Sequence, residues 1–443
     1  MEASHAITAA AEALPSRVGG PTDPSHDQQL RRGIIATEVS RPVALGLCAL
    51  FLLLIYGIPL SQALLEKLHG DDSSLLPLFQ RRPNRDNLRQ FEKELEQASL
   101  AKDFVQPRVQ LLLSRLGGVG NKRAVIGRAG FLFYTPGLQH LAGPSFLDGD
   151  FQRRRRLEAE ADDSTEVHAD PRPAILAFHA MLSRRGIKLV LFPVPDKTML
   201  QPMQLHGRRA AGGSLPVAQN VGWHVLAAEL RAHGVLVFDP TPRSLALADE
   251  PHFLAQDTHW TPRFMERVAH ELAGFVTTTS SLPRPAMPPA LHAVAQHAER
   301  VGDLVDMLKL TDDQALFRPQ AVTIHQIQDA SGEPWQPDEA SDVLLLGDSF
   351  TNVFSMDTMG WGESAGLAPQ LAFALGRGVD VIAQNDSGAF ATRVALSREL
   401  SAGEDRLAGK RVVIWEFASR ELSVGDWKPV DWTLPPPATG AAP

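Results

Sequence analysis

Residues 43 to 65 contain no charged side chain and include the run Leu50-Phe51-Leu52-Leu53-Leu54-Ile55. Hydrocarbon offers the backbone no hydrogen-bond partners, so a segment like this must satisfy its own N–H and C=O groups as a helix. At about 1.5 Å rise per residue it reaches roughly 34 Å, enough to cross a hydrocarbon core of about 30 Å. A core helix would carry a polar stripe, whereas this one is apolar almost all round and is bounded by Arg41 and by Glu66-Lys67. Ser61-Gln62-Ala63 has the small-residue spacing of a signal-peptide cleavage site, which leaves processing after Ala63 open. The length of the run and the 42 residues before it favour an uncleaved anchor.

The rest of the chain divides around that anchor. Residues 1–42 read as a flexible cytoplasmic tail, 66–119 as a helical connector, 120–425 as the globular domain and 426–443 as a disordered tail ending in the Pro-rich stretch 435–443. Basic residues flank the span on both sides, with Arg31, Arg32 and Arg41 before it and Lys67, Arg81, Arg82 and Arg85 after it. The positive-inside count therefore does not fix orientation. A single N-terminal anchor before a long polar region most often exports that region. The expectation is a single-pass membrane protein with its N-terminal tail in the cytoplasm and its domain outside it.

Net charge of −8 and a pI near 6.0 provide no basic footprint for nucleic acid. Cys48 is the one cysteine, which excludes an intrachain disulfide and a cysteine-based metal site.

In the connector, Leu88, Phe91 and Leu95 fall at helical spacing over 87–99, and 104–116 continues that pattern up to Gly117-Gly118. Residues 124–134 read as a hairpin with a Gly-containing turn. From residue 171 onward, short apolar runs alternate with amphipathic segments, the pattern of an α/β fold whose mostly parallel sheet is covered by helices on both faces. Strands are expected at 188–194, 235–238, 343–346, 379–382 and 411–415. Helices are expected at 173–183, 223–233, 262–275 and 365–375, the third with Pro262 at its first position and Thr261 as cap. The Thr-, Ser- and Pro-rich stretch 277–289 reads as a surface loop.

In open α/β sheets, functional groups collect at the carboxyl ends of strands. Gly347-Asp348-Ser349 follows the apolar run 343–346 and places a serine where strand turns into helix. Its own amide and the helix dipole would face a developing oxyanion. A helix cap explains the same residues. A nucleophilic serine needs a base, and the base needs a partner that fixes its tautomer. Asp257-Thr258-His259 supplies both: in an extended segment, residues two apart project to one side, bringing the Asp257 carboxylate to the ring of His259. Of the 15 histidines, His252, His270, His292 and His297 lack a comparably placed carboxylate. Asp257 and His259 as metal ligands are a competing reading without a convincing third ligand, so no metal and no cofactor are expected.

The DTHW segment 257–260 followed by the GDSF segment 347–350 resembles the alginate O-acetyltransferase AlgJ/AlgX family. Gly127-Arg128-Ala129-Gly130-Phe131-Leu132-Phe133, Pro193-Val194-Pro195-Asp196-Lys197, Val301-Gly302-Asp303-Leu304 and Trp415-Glu416-Phe417-Ala418-Ser419-Arg420 support it, so that the resemblance covers roughly 120–425. It implies an SGNH-hydrolase-like catalytic domain with Ser349 as nucleophile, His259 as general base and acid, and Asp257 as orienting carboxylate. It also implies an acetyl donor reached through a membrane-bound MBOAT-type acyltransferase partner, and an exported polysaccharide as acceptor, alginate or another.

The Ser349 backbone N–H is the first oxyanion donor, and Asn385, after the strand at 379–382, is the candidate second, with a structural amide as the alternative. Lys197 and Arg393 are candidates for contact with an anionic polysaccharide or the donor, against the commoner fate of a salt-bridged surface position. Asp348 is expected to bond backbone amides at its turn. Glu416 and Arg420 are expected to pair at a strand end. Transfer to a sugar hydroxyl, hydrolysis by an acetylesterase, and a non-catalytic polysaccharide-binding module remain as three classes, in that order.

Overall fold

The computed structural model describes residues 40–70, 80, 82, 84–161, 166–207, 218–245 and 251–432. Of the tails expected at 1–42 and 426–443, residues 1–39 and 433–443 lie outside the described residues, while Arg41 and Pro42 belong to the first helix and 426–432 pack on the domain, with Trp427 buried and its amide bonded to the His168 carbonyl. The chain divides into two compact units between Phe104 and Val105.

In the first unit a helix runs from Arg41 to His69, 29 residues with an 18-residue stretch of mean hydropathy 2.5, long and apolar enough to cross a membrane. One turn of π-helix, Leu53–Gly57, interrupts it just before Pro59. Proline has no N–H to donate and crowds the carbonyl four residues back, and a wider turn accommodates that locally. Gly70 ends the helix in the left-handed region at φ 82°. A second helix, Arg85–Ala98, is capped by Asn84, whose side chain accepts from the Asn87 amide.

The second unit is built on a five-stranded, fully parallel sheet. Its strands are β3 (Lys188–Val194), β4 (Leu236–Val237), β7 (Val343–Gly347), β8 (Asp380–Ala383) and β9 (Val412–Ala418), in the order β4-β3-β9-β7-β8. All five expected strands are present, β3 with its expected bounds and the others with ends shifted by at most three residues. A hairpin of β1 (Ala124–Ile126) and β2 (Leu132–Tyr134) precedes the sheet. An antiparallel ribbon of β5 (His292–Arg300) and β6 (Gln320–Gln328) stands outside it.

Both faces of the sheet are covered because successive side chains on a strand point to opposite sides. Val343 and Leu345 enter one apolar cluster, with Val190, Phe192, Val412 and Ile414 from neighbouring strands. There they meet helices α3 (Pro262–Ser280) and α6 (Leu367–Leu375), through residues such as Met265, Leu272 and Leu371. Leu344 and Leu346 enter the other, with Leu189, Leu191, Val413 and Trp415. That face is covered by α1 (Pro171–Arg184), α2 (Trp223–Ala232) and α7 (Gly388–Ser401). Each fully buried Leu or Val contributes about 1.5–3 kcal/mol, so double-sided burial fixes which residues form the central strands.

Two expectations are corrected. The stretch read as a loop from residue 277 begins as helix: Val276 is buried in the core and carries α3 on to Ser280, where Thr277 and Thr279 donate their hydroxyls to the carbonyls of Ala273 and Phe275. Ser281, in the left-handed region at φ 53°, ends it. The ribbon β5/β6 was not foreseen, since its half-exposed strands show no clean apolar alternation.

Candidate active site

β7 ends at Gly347, and a one-turn helix α5 (Ser349–Asn352) begins two residues later. A Cβ at Gly347 would lie 2.7 Å from Thr351 Cβ and 3.0 Å from Glu416 Oε2, so the turn is tight enough to require glycine. Asp348 caps the turn: its Oδ1 accepts from the Phe350 amide at 2.8 Å and its Oδ2 from the Ala418 amide at 2.8 Å, across to β9. Beneath it, Glu416 Oε2 accepts from the Asp348 amide at 2.9 Å and the Thr351 hydroxyl at 2.7 Å. Glu416 is fully buried with Oε1 unpartnered. Burial, reinforced by Asp348, holds its carboxyl well above the ordinary range.

Ser349 stands half-buried on this turn. Among the described residues no acceptor is bonded to its amide N–H. Since α5 is a single turn, its dipole is weaker than the sequence suggested.

The histidine comes from the loop before α3. Phe253 and Trp260 pair across it, and Leu254 donates to the His259 carbonyl. The tip is therefore tightly turned, not extended as expected. Asp257 Oδ1 accepts from the His259 amide at 3.0 Å and from the His259 ring Nδ1 at 2.6 Å. The turn thereby achieves what alternation was expected to do, since it puts carboxylate and ring side by side. His259 Nε2 lies 2.8 Å from Ser349 Oγ. Asp257 and His259 are both buried, at 2% and 4% exposure.

Two further residues hold the file in place, and sequence reading gave neither a role. Asp257 Oδ2 accepts from the Trp361 indole Nε1 at 3.0 Å and from the Asp303 amide at 3.2 Å. Asp303 in turn accepts from the Thr258 amide and hydroxyl at 2.7 and 2.8 Å. The Val301-Gly302-Asp303-Leu304 motif marked this segment. Nothing in the sequence around Trp361 distinguishes it.

Electrostatics follow from this packing. Burial pushes the Asp257 carboxyl up, but the His259 charge and the bonds from His259 and Asp303 outweigh it and leave it below the ordinary range. Burial pulls His259 down, and Asp257 more than reverses this, leaving the imidazole more basic than usual. Ligand atoms of Asp257, His259 and Asp303 lie within 4.8 Å of one another. They supply the third ligand that the sequence did not reveal. Their oxygens and the ring Nδ1 are already committed to the hydrogen bonds above, so the donor set does not need an ion.

Several expectations are corrected here. Lys197 is buried, and its Nζ donates to the carbonyls of Ala255 at 2.8 Å and Asp257 at 3.0 Å. It braces the Asp257 loop and presents nothing to a polysaccharide. Arg393 is fully buried, with Nε bonded to the Ala389 carbonyl and its guanidinium 5.3 Å from the Trp415 ring. It too is structural, and burial lowers it to about 10. Glu416 and Arg420 do not pair: Arg420 bonds Asp196 at 3.1 Å and lies over the rings of Tyr134 and Phe350. Asn385 is exposed and accepts from Asn352 Nδ2 at 2.8 Å, one hydrogen bond from the turn that carries Ser349.

A family model described as the SGNH hydrolase-like domain of the acetyltransferase AlgX matches residues 151–419, more than half of the chain. The chain belongs to the AlgX family. Its fold is accordingly the SGNH-like one, a parallel sheet with flanking helices. Relatives of this AlgX-family chain include a probable alginate O-acetylase AlgJ from Pseudomonas aeruginosa, 30% identical over 38% of this chain and 42% of the relative. Another, from Pseudomonas syringae pv. tomato, is 27% identical over 57% of this chain and 62% of the relative. The chain spans about half the length of the curated relatives it matches. Among solved structures, the O-acetyltransferase domain of Pseudomonas putida AlgJ matches with a TM-score of 0.49 at 23% identity, covering 68% of this chain and 93% of that one. Pseudomonas aeruginosa AlgX matches with a TM-score of 0.46 at 19% identity, covering 68% of this chain and 62% of that one.

Proposed function

We propose that the chain is an O-acetyltransferase that carries acetyl on Ser349 and passes it to hydroxyls of an exported polysaccharide. The observation that carries this reading is the continuous hydrogen-bonded file from Ser349 Oγ through His259 to Asp257, at the carboxyl edge of the sheet. The family membership and the AlgJ relatives support acetyl transfer as the chemistry.

In the first half-reaction Ser349 Oγ attacks the acetyl carbonyl of a donor ester while His259 Nε2 takes the hydroxyl proton. Asp257, bonded to Nδ1, fixes the tautomer and stabilises the imidazolium. The Ser349 amide, with Asn385 or its partner Asn352 as candidate second donor, faces the oxyanion. Collapse breaks the bond to the donor's leaving oxygen, which receives the proton from His259. In the second half, His259 takes the proton of a sugar hydroxyl, whose oxygen attacks the acetyl-serine. Collapse releases the acetylated sugar and returns the proton to Ser349.

The helix Arg41–His69 supports an anchored protein, with the catalytic unit on the periplasmic side and the donor acetyl delivered by a membrane acyltransferase of the MBOAT type. Alginate, named in the relatives, is the first acceptor to test. The full chain in detergent micelles is incubated with 4-nitrophenyl acetate and alginate oligosaccharides. The expected outcome is a Ser349 acetyl adduct by mass spectrometry together with acetylated oligosaccharide. Free acetate with no acetylated sugar would point to an esterase and overturn transfer. An absence of both adduct and turnover would favour a binding module.

A further inference from the structure

We propose that Asp303 is a positioning residue for the His259 base, a second carboxylate fixed on Thr258 and facing Asp257, which adds negative charge behind the imidazole. This rests on the reading of His259 as base.

The geometry is specific to the loop that carries the histidine. Both oxygens of Asp303 are used on one residue, Thr258, which lies between Asp257 and His259. The Asp303 amide is used on Asp257 Oδ2, and the Leu304 amide on the Gln256 carbonyl. The first turn of α4 (Asp303–Leu308) thus clasps residues 256 to 258 from behind, by backbone and side chain together. A Cβ at Gly302 would strike the Asp257 amide nitrogen at 2.7 Å, so this close approach requires glycine. An asparagine could bond the Thr258 amide and hydroxyl too, so the two hydrogen bonds by themselves do not call for a charge. A second half-buried carboxylate within 4.8 Å of Asp257 is electrostatically costly unless a cation makes use of it.

The charged groups around Asp303 are few. Asp257 and His259 face it from the loop, and the buried Lys197 ammonium lies on the far side of the same loop, bonded to the carbonyls of Ala255 and Asp257. Asp348 also acts on His259, from the end of β7. On its own helix, Asp306 is turned to the surface near Arg300. The Asp303 carboxyl is pushed up to about 6 by burial and by Asp257. Lys197 is pulled down to about 7 by burial, against the two carboxylates. Asp303 therefore takes a proton in mild acid, and the imidazole then loses part of the field that keeps it basic.

The test uses the full chain in micelles with 13C-labelled histidine, the His259 resonance being assigned with His259→Gln. In Asp303→Asn the bonds to Thr258 can be re-formed without the charge, and the His259 midpoint should fall by about 1 pH unit or more. The acid limb of Ser349 acetylation should move with it. Thr258→Val removes the hydroxyl bond but keeps the carboxylate, which then takes its proton more readily, so its midpoint should fall by clearly less than that of Asp303→Asn. A folded Asp303→Asn protein with an unmoved midpoint overturns the proposal, as does an equal shift in Thr258→Val. Should Asp303→Asn not fold, the wild-type titration decides: an inflection of the His259 shift near pH 6 supports the role, and a single step without it overturns it. Failure of the acetyltransferase reading is seen separately, as no Ser349 adduct in the wild-type chain while the NMR shift persists.

Discussion

His259 Nε2 lies 2.8 Å from Ser349 Oγ although the two residues are 90 positions apart in the chain. The loop before α3 and the turn after β7 meet because α3 packs on the sheet face that carries Val343 and Leu345. Burial of that helix sets the reacting distance. If the file transfers acetyl groups, Ser349→Ala abolishes the acetyl adduct, and Asp257→Asn lowers the acetylation rate by about 10³–10⁴-fold while the fold persists. Adduct mass and single-turnover rates, with circular dichroism as the fold control, check both.

Trp361 donates to a carboxylate oxygen that is shut away from water. Trp361→Phe keeps most of the apolar contact and removes the donor, leaving Asp257 short of one bond. The expected cost is about 1–3 kcal/mol by urea denaturation, with slower acetylation. An unchanged midpoint and rate would show that Asp303 and His259 alone hold Asp257.

Glu416 accepts two hydrogen bonds under the turn that carries Ser349 and is held above its ordinary range, first by burial and then by Asp348. A carboxyl raised in the folded state contributes stability that is fully present below its ordinary value and is lost as pH rises toward the folded value. Glu416→Gln keeps the acceptor and removes the proton dependence, so it should be at least as stable as wild type at pH 8. Glu416→Ala deprives the Asp348 amide and Thr351 hydroxyl of their acceptor and should lose about 1–3 kcal/mol at pH 5, and less at pH 8, where the wild-type carboxyl has given up part of its own contribution. Denaturation of the three proteins at pH 5 and 8 separates these effects.

The His259–Asp257 pair imposes a pH window. In the proposed mechanism the neutral imidazole is the base, and its pKa is raised from 6.5, so the acid limb of acetylation should lie above that value. For stability, the histidine's contribution is fully present below 6.5 and lost as pH rises through its higher folded value. The contribution of Asp257, whose carboxyl is lowered from 3.8, is present above 3.8 and lost as pH falls below it. Stability that the pair adds over Asp257→Asn should therefore be greatest between about pH 4 and 7, which melting temperatures across pH will show.

The amino-acid sequence by itself determined the apolar helix, the α/β class and the five strands of the sheet, and it singled out Asp257, His259 and Ser349 as a candidate site. These are written in local patterns: an uncharged run, apolar stretches buried on both sides, a Gly-Asp-Ser turn and an Asp two residues before a His. Only the tertiary structure decided what stands behind them. Trp361 and Asp303 reach Asp257 across 104 and 46 positions, distances at which no periodicity or spacing carries information. Lys197 and Arg393 show the same limit from the other side. In sequence each is an ordinary cation suited to an anionic ligand, but both are buried, and their hydrogen bonds go to backbone carbonyls. A charged side chain's role depends on which water it loses and which oxygens replace that water, and packing alone settles both.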